Sequence, residues 1–100
     1  MVRRGADNLD ALIAERIDGP YALFFVTPEG EEFPDGAESE SGMAIDQAGR
    51  IFSFWTAWDA ERGEATLETW EQTEAEPFWS GIAEYRQARA AVGLREPSST

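Results

Sequence analysis

Only carboxylates, hydroxyls and guanidinium groups are on hand for chemistry in this chain. It contains no cysteine and no histidine. Zinc sites of the usual kinds, Ser-His-Asp and Cys-His nucleophiles and imidazole bases are therefore excluded. What remains is mostly acid: 20 Asp and Glu against 8 basic residues, all of them Arg, for a net charge of −12. Two carboxylates can cleave a glycosidic bond, but only at a defined separation across a cleft. A carboxylate set can also hold Mg²⁺ or Ca²⁺.

The densest acidic run is EGEEFPDGAESESG over 29–42, with Glu29, Glu31, Glu32, Asp35, Glu38 and Glu40 and no base. It lacks the D-x-[DN]-x-[DN]-G ladder of a calcium loop. No glycine-rich phosphate loop, Walker pattern or G-x-S-x-G elbow occurs elsewhere,. No cofactor and no metal are implied. The plainer reading of 29–42 is an exposed loop with a short edge strand around Glu31–Phe33. The functional reading is an acidic docking surface, with Glu31, Glu32 and Asp35 as its contacts.

Charge also sorts the partners. Phosphate backbones and anionic membranes need clustered positive charge, so direct binding to nucleic acid or to a membrane surface is disfavoured. A basic protein partner is favoured by electrostatic steering, and self-association is the other candidate. No apolar run approaches the ~20 residues that span a bilayer. No apolar stretch follows the arginines of MVRRGADNLD, so the expected location is the cytoplasm,.

The elements that must position these groups can be read in order. One hundred residues is a single-domain length,, here with loose ends at 1–6 and 94–100. Asp7 suits an N-cap, with Asp10 three residues on, and Leu9, Leu12, Ile13 and Ile17 fall at helical spacing before Gly19-Pro20. The spacing predicts a helix over 8–18. YALFFVT, 21–27, reads as a central or well-covered strand because it is apolar on both faces. Two Asp-to-Gly turns follow, DQAG at 46–49 and DAERG at 59–63, and they make 43–72 a three-stranded antiparallel meander,. The run IDQAGRIFSFW resembles a hairpin common in small α+β proteins, ligand-binding and sensor domains among them, and turn chemistry alone accounts for it. Pro77 or Ser80 opens a C-terminal helix whose Tyr85, Ala88 and Val92 share a face and which Gly93 closes,. The expected fold class is α+β, an N-terminal helix, a mainly antiparallel four-stranded sheet and a C-terminal helix.

Register divides the meander. With Asp46 opposite Arg50 and Trp58 opposite Glu64, one face holds Met43, Ile45, Ile51, Ser53, Trp55, Ala57, Ala65, Leu67 and Thr69, apolar or small throughout, and looks like core. The other holds four aromatics, Phe52, Phe54, Trp58 and Trp70, set among Arg50, Glu64 and Glu68. Left bare, four such rings make a patch of the size that marks an interaction site. Three arrangements would cover it: a helix on each face of the sheet, a curled sheet enclosing an aromatic pocket, or a partner. Phe52, Phe54, Trp58, Trp70, Glu64 and Glu68 are accordingly the candidate binding residues beside the acidic loop.

The expected function is a small acidic, non-enzymatic protein–protein interaction module that could form a homodimer. A domain binding a small apolar ligand in an aromatic pocket is the first alternative. A carboxylate enzyme using Glu64 and Glu68 is the second. No catalytic residue is assigned.

Overall fold

The computed structural model describes residues 4–34, 36 and 38–94. Its frame is the pair of Asp-to-Gly turns. At the first, the Gly49 amide donates to the Asp46 carbonyl at 3.0 Å with Gly49 at φ +89°, and the Asp46 amide donates to the Arg50 carbonyl at 3.1 Å. The Asp46 side chain accepts from the amides of Ala48 and Arg50. At the second, Gly63 at φ +67° donates to the Asp59 carbonyl at 2.8 Å, and the Asp59 carboxylate accepts from the amides of Glu61 and Arg62. Glycine is needed at both closing positions because a Cβ would resist the left-handed conformation.

These turns join three of four antiparallel strands. β1 is Tyr21–Glu32, β2 Glu38–Asp46, β3 Ile51–Asp59 and β4 Glu64–Thr73, in the spatial order β1-β2-β3-β4. Helix α1, Arg4–Ala14, packs on one face against β2 and β4. A single 3₁₀ turn, Pro77–Gly81, leads into α2, Ala83–Ala91, which packs on β1 over the other face. The fold is α+β, with helices at both ends of the chain and a four-stranded antiparallel sheet between them.

Two cores result, one under each helix. Leu9, Ile13 and Ile17 bury against Ala44 and Phe54, with Leu23, Phe52, Leu67 and Trp70 partly buried around them. Tyr85, Ala88 and Val92 bury against Phe24, Ile45 and Ile51, with Trp79 inserted from the 3₁₀ turn. Trp79 is 6% exposed, and its ring lies 5.3–5.6 Å from those of Phe24, Phe25 and Tyr85. α2 ends at Gly93, φ +81°, where the Gly93 amide bonds the Ala90 carbonyl and the Leu94 amide bonds that of Arg89. That closure is the Schellman motif expected of a C′ glycine.

Several expectations change. α1 starts at Arg4, so Asp7 lies within it rather than at its cap, and the helix stops at Ala14. The amides of Arg16 and Ile17 both bond the Ile13 carbonyl, and this closing turn still carries Ile17 into the core. Of the expected loose ends, 1–3 and 95–100 lie outside the described residues. Of the two positions expected for β1, central or well covered, it takes the second: it is an edge strand covered on both faces. It is apolar on both faces because each face has its own helix: Phe24 lies under α2, and Leu23 is in the α1 core. The acidic stretch 29–42 is largely a hairpin, with Pro28 opposite Glu40 and Glu32 opposite Glu38. At its tip Phe33 is buried against Ala65 and packs its ring 5.5 Å from Trp58.

The register of β3 with β4 also differs. Asp59, not Trp58, pairs with Glu64, so Trp58 opposes Ala65 and Thr56 opposes Leu67. The ladder then shifts by one: Trp55 pairs with Thr69, and Glu68 is the extra residue of a β-bulge,. A slip of one residue reverses a face. Ala65 and Leu67 therefore join the α1 side, and Glu64 and Thr66 leave it. Beyond the bulge a second step restores the expected parity, and Phe54 sits directly opposite Trp70.

Candidate binding surface

The aromatic face whose covering the sequence left open lies beneath α1. Phe54 is buried at 3% exposure and packs in the α1 core. Phe52 and Trp70 are half-buried and stacked, with centroids 4.8 Å apart and planes 12° from parallel. The Arg50 guanidinium lies 6.0 Å from the Phe52 ring, a cation–π contact at the rim,. Trp58 is half-buried beside Phe33. Of the three arrangements that could cover these rings, the structure has a helix on each face.

The acidic candidates are dispersed. Glu31 and Glu32 are exposed near the tip of the β1–β2 hairpin. Asp35 lies outside the described residues. Glu64 stands at the second turn, 3.6 Å from the Arg62 guanidinium, and Glu68 stands at the bulge. A cleft of about 160 Å³ between α1 and the start of β4 is lined in part by Glu15, Arg16, Arg62 and Glu64. Two acids and two bases share it, and no aromatic ring lines it. Among the described residues no cluster of three or more acidic side chains is placed to hold a metal ion. No helix among them is long and apolar enough to cross a membrane.

The surface that stands open is on the opposite face. α2 covers the end of that face nearest the 46–50 turn, where Ile45 opposes Ile51. Past it come cross-strand rows in which hydroxyl side chains recur. Met43, Ser53 and Glu71 form the first, and Thr27, Ser41, Trp55 and Thr69 the second. Beyond the bulge Ala57 opposes Thr66. Trp55 lies amid these hydroxyls and is 47% exposed. It is not the core residue its alternation suggested.

The indole is held in place. Its Nε1–H donates to the Ser39 hydroxyl at 3.2 Å, and that hydroxyl, 1% exposed, donates to the Thr56 carbonyl at 3.0 Å. Thr56, buried on the other face, donates its hydroxyl to the Glu40 carbonyl and accepts from the Glu40 amide. This side-chain pairing sits at the level of the β3–β4 bulge. Acids border the tryptophan. Ser41 hydrogen-bonds Glu29, and Glu71 rises from β4 one row away on the same face.

Two titratable groups elsewhere fasten the fold. Burial pushes the Asp46 carboxyl up, but hydrogen bonds from the Arg50 amide and guanidinium, the guanidinium charge and the Ala48 amide outweigh it. Its pKa lies below the ordinary aspartate value,. Tyr21, at the start of β1, donates its hydroxyl to the Asp10 carboxylate of α1 at 2.9 Å. Burial, then that hydrogen bond and the carboxylate charge, push the phenol up to about 12.

The alternation that put Trp55 inward missed its neighbours. Ser41, Ser53 and Thr69 around it were the available signal that no apolar layer covers this part of the sheet. No protein-family profile matches this chain, and no curated protein or solved structure is significantly similar to it.

Proposed function

We propose that this protein is a non-enzymatic binding module for a basic segment of another protein, and that its contact surface is the half of the sheet α2 leaves open. The observation that carries the reading is Trp55, 47% exposed yet fixed by its hydrogen bond to Ser39. A fixed aromatic anchor loses little conformational freedom on binding. With Glu29 and Glu71 on the same face, it offers a cation a ring face and carboxylates together. A net charge of −12 steers basic partners toward it and disfavours a second copy of itself,.

The two-sided helix cover favours this reading over an aromatic ligand pocket, because α1 fills the space such a pocket would occupy. Titration with nonaarginine, followed by tryptophan emission, tests it. Binding should quench emission and weaken steeply with salt, and Trp55→Thr should weaken it at least fivefold. Equal affinity for Trp55→Thr and wild type would sink the proposal.

A further inference from the structure

The sheet has two free edges, and they are built differently. On β1, Pro28 lacks an amide donor, and Phe25 and Gly30 have positive φ, +56° and +81°. The pairing of β1 with β2 is interrupted twice. The Phe25 amide is taken by the Glu84 side chain from α2. Proline, irregular backbone and an occupied donor are the usual means of closing a sheet edge to further pairing. β4 has neither proline nor an amide taken by another element among the described residues, and its ladder is irregular at a single point. It runs ten residues without proline or glycine, with one bulge, at Glu68. Among the described residues no backbone hydrogen bond outside its ladder with β3 involves it.

Its charge is one-sided. Between Arg62 and Arg86 there is no basic residue, while Glu64, Glu68, Glu71, Glu74, Glu76 and Glu84 fall in that interval. Two copies of β4 pairing edge to edge would bring Glu64, Glu68 and Glu71 of each copy close to those of the other with no base between them, and like charges brought together destabilise a sheet. The same acids attract a strand of opposite charge.

We infer that β4 accepts an extended basic segment of a partner protein as a fifth, added strand; this rests on the binding function proposed above. Alternation selects the sequence of that segment. On the open face its side chains would meet Glu64, Thr66, Thr69 and Glu71, and there they are basic. On the α1 face they would meet Leu67, Trp70 and Gln72, and there they are apolar,. Trp55 lies one strand in from β4, so about 10 Å separates its backbone from that of the added strand. An extended arginine and the indole ring together span that gap, which places the guanidinium over Trp55.

The probe is a nine-residue peptide alternating arginine and valine, compared with the same peptide N-methylated at every residue. The methylated form keeps all charges and side chains but has no amide donor. The plain peptide should bind, quench Trp55 and protect β4 amides between Ala65 and Gln72 from hydrogen exchange, leaving β1 amides unchanged. The methylated peptide should bind about tenfold more weakly or worse, since several strand hydrogen bonds are lost. Equal binding of the two, or protection on β1 instead of β4, overturns strand addition and leaves the acidic Trp55 surface standing. Binding of neither peptide overturns the basic-partner reading itself. A dimer in solution with β4 amides protected before any peptide is added overturns the inference in favour of self-pairing.

Discussion

Phe54 and Trp55 are adjacent on β3 and point to opposite faces, so substituting each asks which face is core. Phe54 is 3% exposed, beneath α1. Truncation to alanine removes the ring and leaves a cavity between helix and sheet, at a cost of about 3–5 kcal/mol. Domains of this size are stable by ~5–15 kcal/mol, so much of the total would go. Trp55 is 47% exposed, so roughly half of a ~200 Å² side chain leaves contact on substitution. At ~25 cal/mol per Å² that is at most ~2.5 kcal/mol. Threonine, which suits a strand and matches the hydroxyl row around Trp55, recovers part of it. Urea denaturation followed by far-ultraviolet circular dichroism measures both variants. Phe54→Ala should lower stability at least twice as much as Trp55→Thr, while Trp55→Thr alone loses peptide binding. A Phe54→Ala cost below ~1 kcal/mol would refute the reasoning: α1 would then not be packed on the aromatic face, and Phe52, Phe54, Trp58 and Trp70 would return as a surface.

The Asp46 pKa is lowered in the folded state, so its contribution is present above the unfolded value of 3.8 and lost as pH falls through the folded one,. The stability difference between wild type and Asp46→Asn, about 1 kcal/mol at neutral pH because the Arg50 guanidinium is largely in solvent,, should shrink below about pH 4 in acid-titrated urea melts. The Tyr21 pKa is raised, so its contribution holds below 10 and fades as pH climbs to about 12,. Absorbance at alkaline pH should show one tyrosine titrating late, and Asp10→Asn should bring it down. Gly42→Ala places a Cβ 3.0 Å from the Val26 backbone and 3.1 Å from the Phe54 ring. It should destabilise by ~1–3 kcal/mol in thermal melts, and an unchanged melting temperature would contradict the close approach of β1 and β2. Deleting Glu68 should cost less than ~1 kcal/mol, because Thr56 would still oppose Leu67 and Trp55 would oppose Thr69 in an unbroken ladder,; loss of cooperative unfolding would speak against the bulge.

How far the fold could be read in advance depended on how local each signal was. The first turn is a chemical device contained in five residues: Asp46 binds the amides of Ala48 and Arg50, and Gly49 takes the positive φ. Such turns, and the Gly93 cap, are legible because no distant residue is needed to make them. The β3–β4 register was not, because the second turn is one residue longer and the ladder absorbs Glu68 further along. No propensity marks Glu68 as the extra residue. It is extra because Leu67 buries with α1 while Thr69 keeps its place opposite Trp55. Those are tertiary demands, and they moved Ala65 and Leu67 to the other face without altering the strand bounds by more than a residue or so.

The candidate surface was misplaced for a related reason. Aromatic density pointed to Phe52, Phe54, Trp58 and Trp70, but density says only that something apolar must cover the rings, and α1 can do so with Leu9, Ile13 and Ile17. What separates a covered face from an open one is the length of the covering element. α2 is nine residues, or about 13 Å of helix. β3 is also nine residues, but at ~3.3 Å each it runs about 30 Å. A helix of that length lying along the strands covers less than half of one face. The remainder must be polar or paired with something else. The chain makes much of it polar with Ser41, Ser53, Thr66 and Thr69, and sets one large aromatic ring among them, Trp55. A tryptophan there leaves about half its surface in solvent, where a threonine would fit the row. Its presence there, with its Nε1–H fixed by Ser39, is the feature on which the proposed binding function rests.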